Sequence, residues 1–171
     1  MKRVFLFKAV FILLAVPPAF YAWAEEKMDE EQEMAIKGIG FDTEAQTPVV
    51  ILSDKKEGKR FLPIWIGLCE ARSIELGLSG EIAPRPLTYD MVAAIVRTMK
   101  GRVERVVIVD LRDQVFYAQV EVSINGVISK IDARPSDAIA LASRMSAPIF
   151  VKRSVLDKAT SEETKEEKRG T

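Results

Sequence analysis

Apolar and polar residues alternate with a period of two over several stretches of this chain, and the alternation is broken by segments with a period near 3.6. Residues 34–41 and 48–52 (PVVIL) read as two strands joined by the polar connection 42–47. The turn-rich DKKEGK at 54–59 leads into a returning strand, RFLPIWI at 60–66. Pro63 removes one ladder donor from it, which predicts an edge or bulged position. Gly67 ends that strand. Beyond it Leu68, Ala71, Ile74 and Leu78 recur at helical spacing, so a helix over 68–78 with these four on one apolar face is expected. Pro84-Arg85-Pro86 is a stiff connector. Thr88 is the N-cap candidate of a helix over 89–99, whose stripe is Val92, Ile95, Val96 and Met99 and which Gly101 closes.

Three strands follow, over 103–109, 114–124 and 127–133. Asn125-Gly126 is a preferred two-residue hairpin turn, and it sets Val122 opposite Ser129, Glu121 opposite Lys130 and Val120 opposite Ile131. Phe116, Ala118, Val120, Val122 and Ile124 then line the core side. After Pro135 come a helix over 136–145, a short strand over 147–151 and a last helical turn over 154–159. This order predicts a single mixed α/β (α+β) domain over 34–159. Its sheet is largely antiparallel or mixed, contains the three-strand meander and has three main helices packed on it. The acidic 25–33 reads as a flexible lead-in, and the charged 160–171 as a disordered tail.

The first 24 residues change the picture of where the protein works. Lys2 and Arg3 precede the apolar AVFILLAV at 9–16, and Ala22-Trp23-Ala24 has the small-x-small form that signal peptidase reads. The apolar stretch is short for a membrane span and Lys8 interrupts any longer one, so export is expected, with an uncleaved membrane anchor as the alternative. Once the signal is removed, no stable membrane partner is expected. Removal takes away Lys2, Arg3 and Lys8 and no acidic residue, so a balance of 25 basic to 25 acidic residues becomes 22 to 25. A mildly acidic chain meets phosphate through a local patch, not through net charge.

The chain has 171 residues, one cysteine and no histidine. Cys69 has no internal disulfide partner and reads as a small buried hydrophobe. Without histidine, Ser-His-Asp and Cys-His nucleophile systems are excluded, as is every metal site built on imidazole. Carboxylates holding a hard cation such as magnesium or manganese remain, together with lysine, arginine and tyrosine chemistry. No organic cofactor is implied.

DARPSDAIALA at 132–142 concentrates that chemistry at a strand–helix corner. Asp132, Arg134, Ser136 and Asp137 surround it, and Asp137 benefits from the free amides of a first helical turn. Closing Val109 onto Gln114 places Glu104 in the row of Gln119 and Asp132, about 10 Å from Asp132. One reading is a structural corner in which Ser136 or Asp137 caps the helix and Arg134 pairs with Asp132. The other is a metal-assisted site: Asp132 and Asp137 as ligands, Glu70 or Glu104 as a further ligand or base, and Arg134 against the developing phosphate charge. Arg72, Arg85 and Ser136 are candidates for binding substrate. Asp110, Arg112 and Asp113 (in DLRD) form a second acidic cluster or simply a turn, about 20 Å along the strand from Glu104. Trp65 and Tyr117 read as packed residues, not as base-stacking ones.

Four blocks then carry a resemblance: RFLPIWIGLCEA at 60–71, PRPLTYD at 84–90, VERVVIVDLRDQVFYAQV at 103–120 and DARPSDAIALASRMSAPIFV at 132–151. In this order they resemble the bifunctional nuclease domain family over most of the chain after the signal. The resemblance implies a mixed α/β domain that assembles as dimers or larger homo-oligomers and cleaves RNA and DNA. Glu70, Arg85, Asp90, Asp110, Arg112, Asp113, Asp132, Arg134, Ser136 and Asp137 occupy its motif positions. The export signal is the departure, since members of the family are more usually intracellular.

Overall fold

The computed structural model describes residues 29–167, with side chains through residue 161. Its elements follow the order β1 (Glu31–Asp42), β2 (Thr47–Asp54), β3 (Phe61–Trp65), α1 (Leu68–Ser79), α2 (Thr88–Thr98), β4 (Gly101–Arg112), β5 (Val115–Ile124), β6 (Val127–Ala133), α3 (Pro135–Met145), β7 (Ile149–Lys152) and α4 (Arg153–Glu167). The strands make one mixed sheet, β3-β2-β1-β7-β4-β5-β6, in which only β4 and β7 run parallel. This is the single α/β domain that the periodicity predicts, with β3 and its Pro63 on one edge. Residues 1–28, where the signal peptide is expected, lie outside the described residues.

Turn chemistry sets the register of the meander. Asn125 and Gly126 take φ of 51° and 81°, and β6 pairs with β5 as expected, Val120 opposite Ile131 and Gln119 opposite Asp132. The turn before β5 is equally tight. Asp113 and Gln114 take φ of 48° and 63°, so two residues, not four, join β4 to β5. With two bulges in β4, Val107 and not Glu104 stands opposite Gln119. Glu104 falls in the bulge between Val103 and Arg105 and pairs with Arg102 at 2.6 Å.

The helices bury small residues more than the expected apolar stripes. Leu68 and Leu78 of α1 are exposed, whereas Ala71, Ser73, Ile74 and Leu76 are buried. α1 approaches α3 so closely that a Cβ on Gly77 would stand 2.1 Å from Ser143 Oγ. In α2 only Ala93 is buried, and Ile95 and Met99 face solvent. Thr88 is the first residue of α2 and not its cap; the carboxylate of Asp90 accepts the Leu87 amide at 2.9 Å instead. The left-handed residue that ends α2 is Lys100, φ 57°. Gly101 already belongs to β4, where a Cβ would lie 2.8 Å from Ile124 Cγ1 and 3.0 Å from Ser123 O. One further difference lies at the chain's C-terminal end: α4 is a helix of 15 residues that runs into the charged stretch at 160–171.

Part-buried Arg144 locks the three helices together. Its guanidinium donates to Asp90 Oδ1 on α2 at 2.6 Å and to Ser73 Oγ on α1 at 3.2 Å, and it also donates to the Ser73 carbonyl. β4, β5 and α3 contribute the centre of the core through Val106, Ile108, Ala118 and Ile139, and α4 adds Val155 and Leu156.

The reverse face of the sheet is polar. Arg105 donates to both oxygens of Glu121, at 2.9 and 3.0 Å, and to Glu31, while Lys130 approaches Glu121 at 3.4 Å. The expected flexible lead-in therefore ends earlier than residue 33: β1 begins at Glu31, because Glu31 and Glu33 find partners in Arg105 and Lys55. Arg105's hydrogen bonds hold the buried Glu121 below the usual carboxylate range, against the opposing effect of burial. A carboxyl depressed in the folded state stabilises fully above its unfolded pKa, and that contribution is lost as pH falls through the depressed value. Melting temperature should therefore fall on acidification, with a shallower slope in Glu121→Gln; equal slopes in the two proteins would contradict this.

Candidate active site

α3 starts directly after β6, with Pro135 at its first turn and Arg134 extended before it at φ −68°, ψ 146°. The helix then crosses the apolar side of the sheet. That places Asp137 beside α1 and α2. Arg134 donates to Asp137 through Nε at 2.7 Å and through Nη2 at 2.8 Å, and Nη2 also reaches Glu70 Oε1 at 2.8 Å. The Tyr89 hydroxyl on α2 donates to Asp137 Oδ1 at 2.5 Å. Residues from three helices and the β6–α3 corner thus share one network.

Glu70 sits in the first turn of α1 and folds back over Gly67, where a Cβ would lie 2.3 Å from Glu70 Oε2. Gly67 leaves the space that Glu70 needs to reach Arg134.

The network rims a groove of about 830 Å³ between α1, α2 and the sheet, walled by Leu68, Leu87, Val92, Val96, Ile131 and Leu141. Burial works to raise the pKa of Asp137, but the hydrogen bonds of Arg134 and Tyr89 and the Arg134 charge prevail and lower it. Burial first, and then the bond to Asp137 and its charge, push the Tyr89 hydroxyl far up, so it stays a donor. Its bonds to Asp137 and then Glu70 raise Arg134 further. The result is a carboxylate held ionised, a neutral phenol and a cation that is two-thirds exposed.

Of the expected site residues, the structure gathers Glu70, Arg134 and Asp137, and Arg72 lines the same groove while approaching Glu75 at 3.4 Å. Asp132 does not join them. Ile131 and Ala133 face the groove, so Asp132 between them points to the reverse face beside Gln119. Its expected ion pair with Arg134 is therefore replaced by those of Asp137 and Glu70. Glu104, bulged and paired with Arg102, is not part of the cluster either. Ser136 is buried but does not cap α3. Arg85 is exposed between its prolines and makes no hydrogen bond or ion pair among the described residues. Asp110 belongs to β4, where Arg112 binds it at 2.5 Å and Lys158 at 2.8 Å; Lys158 first and then Arg112 hold it well below the carboxylate range. Asp113 lies in the following turn.

Two expectations of burial change too. Cys69 is exposed at the groove and Trp65 is half exposed, whereas Tyr117 is packed, under the Arg112 guanidinium at 4.8 Å. The residue missing from the expected set is Tyr89. Its only sequence signal is its place beside Asp90 in the PRPLTYD block.

The family model described as the bifunctional nuclease domain matches residues 50–164. Two proteins of Mycobacterium tuberculosis, "Uncharacterized protein Rv1829" of strain H37Rv and "Uncharacterized protein MT1877" of strain CDC 1551, are each 39% identical over 127 residues. The match covers 74% of this chain and 75% of each relative. The chain belongs to the bifunctional nuclease domain family.

Proposed function

We propose that the protein is a nuclease that hydrolyses phosphodiester bonds of RNA, DNA or both at the Glu70–Tyr89–Arg134–Asp137 cluster. The observation that supports it is one solvent-facing guanidinium held between two carboxylates at the rim of the groove between α1, α2 and the sheet. Arg134 is the group that meets phosphate, because its planar fork suits two oxygens at once. Asp137, kept ionised, accepts a proton from attacking water, and Tyr89 fixes its orientation. If a magnesium or manganese ion takes part, Glu70 and Asp137 are the carboxylates that would hold it, with Arg134 turned from between them toward the phosphate. Such a cation takes one or two carboxylates, with water and phosphate completing its shell. Bound there, the ion would polarise the phosphate and lower the pKa of water.

Turnover of RNA and of single-stranded DNA, with and without EDTA, tests this reading. Wild type should cleave in a chelator-sensitive way, and Asp137→Asn and Glu70→Gln should each lose about a hundredfold or more in rate. Undiminished cleavage by either variant would remove this cluster from the reaction. Export through the N-terminal segment completes the proposal, with extracytoplasmic nucleic acid as substrate; among the described residues no helix is long and apolar enough to cross a membrane.

A second reading, a non-enzymatic homo-oligomeric module, has its own observation. Val127, Ile128 and Ile131 on edge strand β6 are exposed, as are Met91, Ile95 and Met99 on α2. A second copy of the chain would cover such a surface. Under this reading Asp137→Asn changes assembly or stability, and purified wild type shows no chelator-sensitive cleavage.

A further inference from the structure

The face of the sheet that carries Arg105 and Glu121 continues onto β1–β3, where it turns aromatic. Phe61 and Trp65 are 47% and 52% exposed. They share one face of β3 with Pro63 between them, because Leu62 and Ile64 are buried and alternate residues of a strand point the same way. Four residues of strand set the two rings about 13 Å apart. Trp65 is fixed by the bond from its indole Nε1 to Asp42 Oδ2 at 2.8 Å, and Asp42 Oδ1 is fixed in turn by the amides of Glu44 and Ala45.

Beside the rings the sheet is bare. The register puts Gly38 in line with Ile51 and Pro63, and Gly40 in line with Val49 and Trp65. Neither glycine has a left-handed φ, and a Cβ on either would meet nothing within 4 Å. Glycine inside a strand weakens it, so two that neither backbone nor packing requires point to something that approaches the strand closely. Together they floor a trough of about 480 Å³, with Ile51 and Pro63 beneath and Phe61 and Lys37 at its side.

The charged residue lining the trough is a cation. Lys37 Nζ lies 4.3 Å from the centre of the Phe61 ring. The turn leading into β3 adds Lys55 on the same face, paired with Glu33, whereas Lys56, Lys59 and Arg60 line a separate pocket with Asp54 and Glu57. The Lys55–Glu33 pair is solvent-exposed, and exposed pairs exchange readily for other anions.

We propose that this trough binds single-stranded nucleic acid, with Phe61 and Trp65 stacking on bases and Lys37 and Lys55 facing phosphates. Fixed, half-exposed ring planes suit flat ligands whose faces are free, as they are in single strands and are not inside a duplex. The surrounding cations select a polyanion over a neutral polymer. The inference rests on the nuclease reading for the sense of the path. β3 passes through Ile66 and Gly67 into α1, so a strand that stacks on Trp65 would have to pass round that end of β3 to reach Glu70, whose groove opens on the other face of the sheet.

The test is affinity of the full chain for labelled oligonucleotides, measured by fluorescence anisotropy in EDTA so that no cleavage intervenes. Single-stranded DNA or RNA should bind at least about tenfold more tightly than a duplex or an abasic strand of equal length. Phe61→Ala and Trp65→Ala should each weaken binding about tenfold, and Trp65→Phe should retain most of it. Gly40→Val fills the trough and should weaken binding as much, with an unchanged or higher melting temperature that separates blocking from misfolding. Tight binding without any cleavage by wild type would sink the nuclease reading and leave this one standing. Cleavage with unaltered affinity in the aromatic variants would do the reverse. Equal affinity for the abasic strand, preference for a neutral polysaccharide, or a changed oligomeric state in Trp65→Ala would each overturn the proposal.

Discussion

Arg144→Met should lower folding stability by about 3 kcal/mol, read as a lower urea midpoint with little change in slope. Methionine fills much of the arginine's volume, so the loss would come from the groups left behind and not from a cavity. The Arg144 side chain is 10% exposed and is the link from α3 to both Asp90 and Ser73. Removing it leaves a part-buried carboxylate without its counter-charge, and takes the side-chain donor from the Ser73 carbonyl and hydroxyl in the α1–α3 contact. The Leu87 amide first and Arg144 second hold Asp90 below the usual carboxylate range, so Asp90 remains charged in the variant and cannot escape by protonation near neutral pH. Adding Asp90→Asn should therefore recover about 1 kcal/mol, because asparagine still accepts the Leu87 amide and carries no charge. A loss under about 1 kcal/mol in the single variant would mean that the guanidinium behaves as an ordinary surface group.

What could be read in the sequence follows from which forces are local. The β5–β6 register came through intact because Asn125-Gly126 names its own turn type. The β4–β5 register did not, because Asp113-Gln114 takes the same left-handed pair of conformations without a glycine to signal it. That difference, with the two bulges, moved Glu104 out of the row where alternation had placed it. For Asp132 the information was present. The hairpin put it opposite Gln119, away from the core row of Phe116 to Ile124, and a helix packs on the apolar face of its sheet. Asp137, on the first turn of such a helix, had to lie on the other side. Glu70 and Arg134 could be named because each stands where a strand gives way to a helix. Tyr89 could not, since the rotation of α2 is set by its packing on α3 and by the Asp90–Arg144 bond, both long-range in the chain. The exposure of Trp65 escaped for a related reason: composition favours burying tryptophan, and although Pro63 marked β3 as an edge candidate, only the packing of the helices shows that its Phe61–Trp65 face is open.

Arg134→Ala is expected to leave the fold nearly as stable as wild type while lowering phosphodiester turnover by about a hundred- to a thousandfold. The two readouts diverge because the guanidinium is 67% exposed, and exposed ion pairs contribute little to stability. Its value lies in the transition state, where charge grows on phosphate oxygens that a planar fork can meet. The same substitution should move the pH profile. In wild type, Arg134 and Tyr89 together overcome burial and depress Asp137, so the base is ionised well into the acid range. Without Arg134, burial opposes only the Tyr89 bond, Asp137 titrates at higher pH, and the acidic limb of the rate profile shifts upward. Arg134→Lys restores the charge without the fork, so it should return the limb toward its original place but recover only part of the rate. If Arg134→Ala instead unfolds early and its surviving fraction turns over at the wild-type rate with an unmoved limb, the cluster is a structural clamp between α1, α2 and α3, and the chemistry belongs elsewhere on the molecule.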